Sequence, residues 1–223
     1  MKSRVLVGFG DSWANGDELP HPKDKKYMNL LANHFGWPVL NYAVSSSSIG
    51  HMVWQFQQFV ETHWHPDNQY HAVFFLTGWE RVMYFDHRDY SVICHGHPSH
   101  NPLTEQEDAF YKFYNEPFGI YSANKDILAL QSLCKIYGVV DYWIPGWEQI
   151  PLWSTVNTAR FFSQNQRTIT QLFTADGARE SLHDIVNPVY RNAFIWPNSG
   201  HPNELGHRTI ADAMIPIIQQ HVH

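Results

Sequence analysis

A chain of 223 residues, 43% hydrophobic and with a formal net charge of -6, has enough apolar material for one domain with a sizeable core. The negative balance argues against a general nucleic-acid binder, which needs basic stripes to neutralise phosphate. No segment is long and apolar enough to span a bilayer, and Cys94 and Cys134 are too few for a disulfide framework.

Met1-Lys2-Ser3-Arg4 leads straight into a strand-like run, not a signal peptide, so the expectation is a cytoplasmic protein with reduced thiols. The first strand is expected over residues 4–10, buried on both faces because its apolar residues do not alternate with polar ones. Asp11-Ser12 follows at once, which puts a hydroxyl just past the carboxyl end of that strand, where open α/β sheets hold their ligands. Residues 25–35 read as a helix ended by Gly36, and 38–44 as a second short strand. A serine of the run 45–48 is expected to cap a second helix with an apolar face of Ile49, Met52, Val53, Phe56, Phe59 and Val60. Residues 71–77 are the clearest strand, with Gly78-Trp79-Glu80-Arg81 at its carboxyl end. Strand and helix alternating at this spacing predict βαβ units and a parallel sheet, an α/β fold.

The alternation breaks down over about 82–121, which is rich in aromatic residues and histidine. This stretch reads as an insertion covering the sheet end within a single domain of residues 1–223. A helix over 104–114, capped by Thr104, is expected inside it. Residues 125–137 read as an amphipathic helix, 139–144 as a fourth strand, and 168–173 and 181–186 as short helices. The last helix should face inward with Ile210, Ala211, Met214 and Ile218, and Pro216 should kink or shorten it.

Two compositional figures stand out: 15% aromatic residues, including 9 Trp, and 15 His. The aromatic surplus fits a sugar- or partner-binding face and an aromatic core equally well. His95, His97 and His100 beside Cys94, with His63 and His65 upstream, are the rival metal ligands. Their spacing matches no common zinc motif, so neither a metal nor a cofactor is assigned. His201-Pro202-Asn203 approaches the last helix on a rigid turn, with Asn203 as its cap. A His there, beside Ser12, makes a nucleophile-and-base pair suited to acyl transfer. His207, inside the helix start, reads as packing or capping.

Gly10-Asp11-Ser12, Asn41-Tyr42-Ala43-Val44-Ser45-Ser46, Gly78-Trp79-Glu80-Arg81 and His201-Pro202-Asn203 with Gly206-His207 resemble, in order and spacing, the four blocks of the SGNH (GDSL-type) hydrolases. The resemblance implies a three-layer α/β/α sandwich with a parallel central sheet, flavodoxin-like, and hydrolysis of esters, including acetyl groups on sugars. It makes Ser12 the nucleophile and His201 the base, with the N–H groups of Ser12 and Ser46 as oxyanion donors and Asp11 as a structural brace. The third donor and the triad acid fall on Glu80 and Asn198, where the family has Asn and Asp. An ionised carboxylate cannot donate a hydrogen bond, and Asn stabilises no imidazolium by charge. Glu80 either points away, paired with Arg81, or is protonated, or the pocket is built differently. The acid is either replaced by a backbone carbonyl or recruited from elsewhere, for example Asp184. Trp13, Trp79 and Arg81 are the substrate-binding candidates. Glu-Arg in the third block is similar to virus-encoded members, which would place the protein in a host cytoplasm. The expected partner is a small-molecule or glycan ester. The alternative is a catalytically impaired module of the same fold that holds a glycan or a protein.

Overall fold

The computed structural model describes residues 2–17, 19, 22–85, 92–95, 114–146, 149–162, 168–169 and 201–222. β1 (Ser3–Phe9), β2 (Val39–Asn41), β3 (Asn68–Leu76) and β6 (Val140–Pro145) form one sheet in the order β2-β1-β3-β6, and every pair is parallel. β4 (Val82–Phe85) and β5 (Val92–His95) pair antiparallel as a separate two-stranded unit inside the stretch read as an insertion. The edge of β6 is continued by residues 160–162: Trp143 N donates to Arg160 O at 3.0 Å and Phe162 N to Trp143 O at 2.7 Å.

Helices cover both faces. α1 (Ser12–Asn15), α3 (Tyr27–Phe35) and α6 (Glu204–Gln219) pack on the side carrying Leu6, Val73, Phe75, Tyr142 and Ile144. α4 (Ile49–Thr62) and α5 (Glu116–Tyr137) cover the side carrying Val7, Phe9, Phe74 and Trp143. Neighbouring strand residues thus point into opposite cores, as the non-alternating apolar runs predict. The parallel sheet flanked by helices is the expected α/β architecture. No described helix is long and apolar enough to cross a membrane.

Part of the aromatic surplus is core. Phe9, Phe74, Trp143 and Phe161 stack side by side across the sheet, with centroids 4.9, 4.5 and 5.7 Å apart. The register sets Phe9 opposite Phe74 and Phe74 opposite Trp143, so one face carries a cross-strand ladder of rings. Such pairs add ~0.5–1.5 kcal/mol each beyond their buried area.

Several elements differ from the sequence expectation. The helix read over 25–35 is two pieces, α2 (Pro22–Lys25) and α3, broken at Lys26, whose backbone is extended. α5 begins at Glu116, well before residue 125. Pro117 and Gly119 look like breakers, but Pro117 sits in the first turn, where its missing N–H has no partner to lose. Gly119 is required by packing: a Cβ there would lie 2.2 Å from Trp79 Cε3. α6 runs through Pro216 to Gln219, because Pro216 is exposed and interrupts one bond close to the helix end. The helix read over 181–186, and most of those over 104–114 and 168–173, fall outside the described residues.

Two imidazoles are locked into the interior. His207 on α6 accepts from Tyr27 N at 3.2 Å through Nδ1 and stacks on the Tyr27 ring, which joins α6 to α3. Burial, then the charges of Lys26 and His201, push its pKa down to about 3. His71 bonds Tyr142 Oη at 3.2 Å, and burial with the Arg4 and Arg160 charges pushes it down to about 4. Both are neutral in the fold, whereas in the unfolded chain a His titrates near ~6.5. Between that value and the folded ones the unfolded state binds more protons. Stability is therefore expected to fall as pH drops below ~6.5, by ~1.4 kcal/mol per pH unit for each imidazole. Urea unfolding at pH 7, 6 and 5 measures this, and His207→Gln should flatten the slope by about one proton. A pH-independent midpoint would count against it.

Candidate active site

The carboxyl ends of β1, β2 and β3 carry the chemistry-bearing segments. After β1 the chain turns at Gly10, with φ of 149°. A Cβ there would lie 2.8 Å from Ala14 Cβ and 2.9 Å from Phe75 Cβ, so the turn needs glycine. Asp11 caps α1: Oδ1 accepts from Trp13 N at 3.0 Å, while Oδ2 accepts from Arg81 NH1 at 2.9 Å. Asp11 is fully buried and Arg81 partly so, its side chain 17% exposed, and the ion pair joins the turn after β1 to the loop after β3. Ser12 is the first residue of α1, and Gly16, in the left-handed region, closes the helix by donating to Ser12 O at 3.0 Å.

The segment after β2 is tied to the same turn. Val44 N donates to Gly10 O at 3.0 Å, and Ser45 Oγ donates to Asp17 Oδ2. Ser46 has φ of 63°, the one non-glycine residue with positive φ among those described. A left-handed Ser is uncommon, and such strain collects where a backbone group must be aimed. Ser48 caps α4 by accepting from His51 N at 3.1 Å.

Behind both segments lies Gln55, a fully buried side chain of α4. Its Oε1 accepts from Gly10 N at 3.1 Å, and its Nε2 donates to Gly10 O at 3.1 Å and to Ser47 Oγ at 2.9 Å. Sequence reading missed this residue. The available signal was a Gln inside the apolar stripe of an amphipathic helix, three residues after Met52.

In the loop after β3, the Glu80 carboxylate folds back over the Gly78 α-carbon: a Cβ on Gly78 would sit 2.0 Å from Oε2. The Trp79 ring lies on Gly119 of α5, and its carbonyl accepts from Tyr114 Oη at 2.8 Å. Arg81 turns to Asp11. There it braces the Ser12 turn, and it also lines the cleft described below. Trp13 is fully buried, with its ring 5.7 Å from that of Phe75.

His201 precedes the cap of α6, where Asn203 Oδ1 accepts from Leu205 N and Gly206 N at 3.0 and 3.1 Å. Burial and then the Asp11 charge push the Tyr27 phenol up, while His201 helps hold down His207, which stacks on Tyr27. Asn198, Asp184, His97 and His100 fall outside the described residues, as do the side chains of Cys94 and His95. His63 Nδ1 bonds the Tyr42 and Thr62 hydroxyls at 2.5 and 2.8 Å, and no metal-binding group occurs among the described residues.

A cleft of about 450 Å³ opens beside Arg81, between the loop after β3 and the helices α4 and α5. Trp79, Arg81, Tyr114, Phe118, Lys125 and Asp126 line it. Burial raises the Asp126 carboxyl against the pull of Lys125, 3.3 Å away. From Phe118 the rings of Tyr121 and Trp153 continue along the surface, each more than a third exposed, with centroids 6.4 and 5.5 Å apart.

No family model and no curated protein matches the chain by sequence. Solved structures do match along its whole length. A member of the lipolytic protein G-D-S-L family from Veillonella parvula aligns with TM-score 0.57 at 13% identity, covering 98% of this chain and 100% of that one. A lipolytic protein of the same family from Desulfitobacterium hafniense gives 0.54 at 12% identity, over 96% and 98%. The psychrotrophic esterase EstA from Pseudoalteromonas sp. gives 0.53 at 12%, over 98% of both chains. The fold is that of the SGNH hydrolases. Within the SGNH fold of this chain, the segments that resemble the first three blocks stand at the carboxyl ends of β1, β2 and β3. The segment that resembles the fourth opens α6.

Proposed function

We propose that this protein is a serine ester hydrolase. The observation that carries the reading is Ser12 at the carboxyl end of β1, on a turn held by the buried Asp11–Arg81 pair and the Gln55 amide. Ser12 Oγ attacks the acyl carbon as His201 takes the hydroxyl proton. The N–H groups of Ser12 and Ser46 receive the oxyanion, and the left-handed backbone of Ser46 is the local strain that aims its peptide. Collapse expels the alcohol, which leaves with the proton from His201. Water, deprotonated by the same imidazole, then releases the acid and restores Ser12.

Glu80 serves better as a loop brace than as a third donor, since its carboxylate covers Gly78 and an ionised carboxylate only accepts. Asn198 would orient His201 through its carbonyl without supplying charge, so turnover is slow. The substrate is a glycan ester, an O-acetylated sugar whose acetyl group passes to Ser12 while the sugar hydroxyl leaves. Trp79, Tyr114 and Phe118 in the cleft, continued by Tyr121 and Trp153, offer the ring faces on which sugars stack. Glu80 and Asn198 also favour a second reading, a binding module that keeps the cleft and has lost turnover. A fluorophosphonate probe separates the two: the hydrolase acquires one adduct, mapped to Ser12 by mass spectrometry. An unlabelled Ser12 in folded protein would leave only the binding module.

A further inference from the structure

The polar groups around Gln55 close a hydrogen inventory. Ser47 Oγ has three neighbours: Val44 O at 2.6 Å, Gln55 Nε2 at 2.9 Å and His51 Nδ1 at 2.9 Å. A hydroxyl donates once and accepts twice. Val44 O only accepts and Gln55 Nε2 only donates, so the Ser47 proton goes to Val44 O, and His51 Nδ1 must carry its own hydrogen. Burial lowers the His51 pKa. Gln55 is saturated too: Oε1 takes Gly10 N–H, and the two Nε2 hydrogens go to Gly10 O and Ser47 Oγ. Flipping the amide would set Nε2 against Gly10 N–H, so its orientation is fixed.

One side chain therefore grips both ends of the glycine before Asp11-Ser12 and, through Ser47, the residue after left-handed Ser46. We propose that Gln55 is a positioning residue that holds the Ser12 turn and the Ser46 peptide at a set separation, so that nucleophile and anion donor form one rigid unit. This rests on the hydrolase reading above. The backbone bond Val44 N to Gly10 O already joins the two loops. What Gln55 adds is rotational fixing of the peptides on either side of Gly10, tied through the Ser47 hydroxyl to the second loop. Small misplacements of reacting groups cost large factors in rate.

Gln55→Met keeps length and apolar packing but makes none of the three bonds. Gln55→Glu keeps the acceptor toward Gly10 N–H and, ionised, loses both donors. For p-nitrophenyl acetate, kcat is expected to fall ~10²-fold in each variant with KM changed less than about twofold, the size of losing one oxyanion donor. Rates are referred to folded protein by circular dichroism. Should both variants keep kcat within twofold while only their melting temperatures fall, Gln55 is merely structural and the proposal fails. Hydrogen–deuterium exchange separates this from failure of the hydrolase reading itself. In Gln55→Met, residues 10–13 and 44–47 should lose protection together, whether or not the wild type turns over. Unchanged protection in either segment overturns the clamp.

Discussion

Ser12→Ala is expected to lower hydrolysis of p-nitrophenyl acetate by on the order of 10³-fold or more, leaving only what bound geometry and the anion site supply. The fold should not notice the change. The cap of α1 is the Asp11 carboxylate, not the Ser12 hydroxyl, and Ala is the best helix former. Unfolding free energy should therefore stay within ~0.5 kcal/mol of wild type, as for substitutions that remove no cap, cavity wall or buried partner. Initial rates and a urea titration on one preparation provide both numbers. Equal rates in Ser12→Ala and wild type would remove Ser12 from the chemistry, and with it the proposed reaction.

The second large effect is on stability. Arg81→Met should cost ~3–5 kcal/mol, because it takes the guanidinium from a fully buried carboxylate. The loss should be conditional on charge. Asp11→Asn retains an oxygen for Trp13 N but removes the anion, so the double variant Asp11→Asn with Arg81→Met should recover part of the deficit. Turnover should fall in Arg81→Met beyond the loss of folded protein, since the Ser12 turn is anchored through Asp11. If the single and double variants are equally stable, the buried charge is not what Arg81 serves.

What could be read from the sequence was whatever depends on near neighbours. β1 and β3 announce themselves as apolar runs buried on two faces, and the apolar stripe of α4 follows its period. The early start of α5 was hidden because Pro117 and Gly119 carry the wrong local signal. Their positions suit a first turn and the Trp79 contact, and only the tertiary structure shows either. Ser12 and His201 could be singled out because each adjoins a strand end or helix cap with its own signature. The bracing was illegible: Arg81 meets Asp11 across 70 positions and Gln55 meets Gly10 across 45.

The braces of the Ser12 turn have a consequence in time. Gly10, Ser47, Gln55 and Arg81 all precede the middle of the chain, whereas His201 stands just before the last helix. As the chain leaves the ribosome from its amino end, the serine turn can close around its own supports long before an imidazole reaches it. On the proposed mechanism the half-made protein is chemically silent: its hydroxyl is already aimed, and hydrolysis begins when α6 docks on α3.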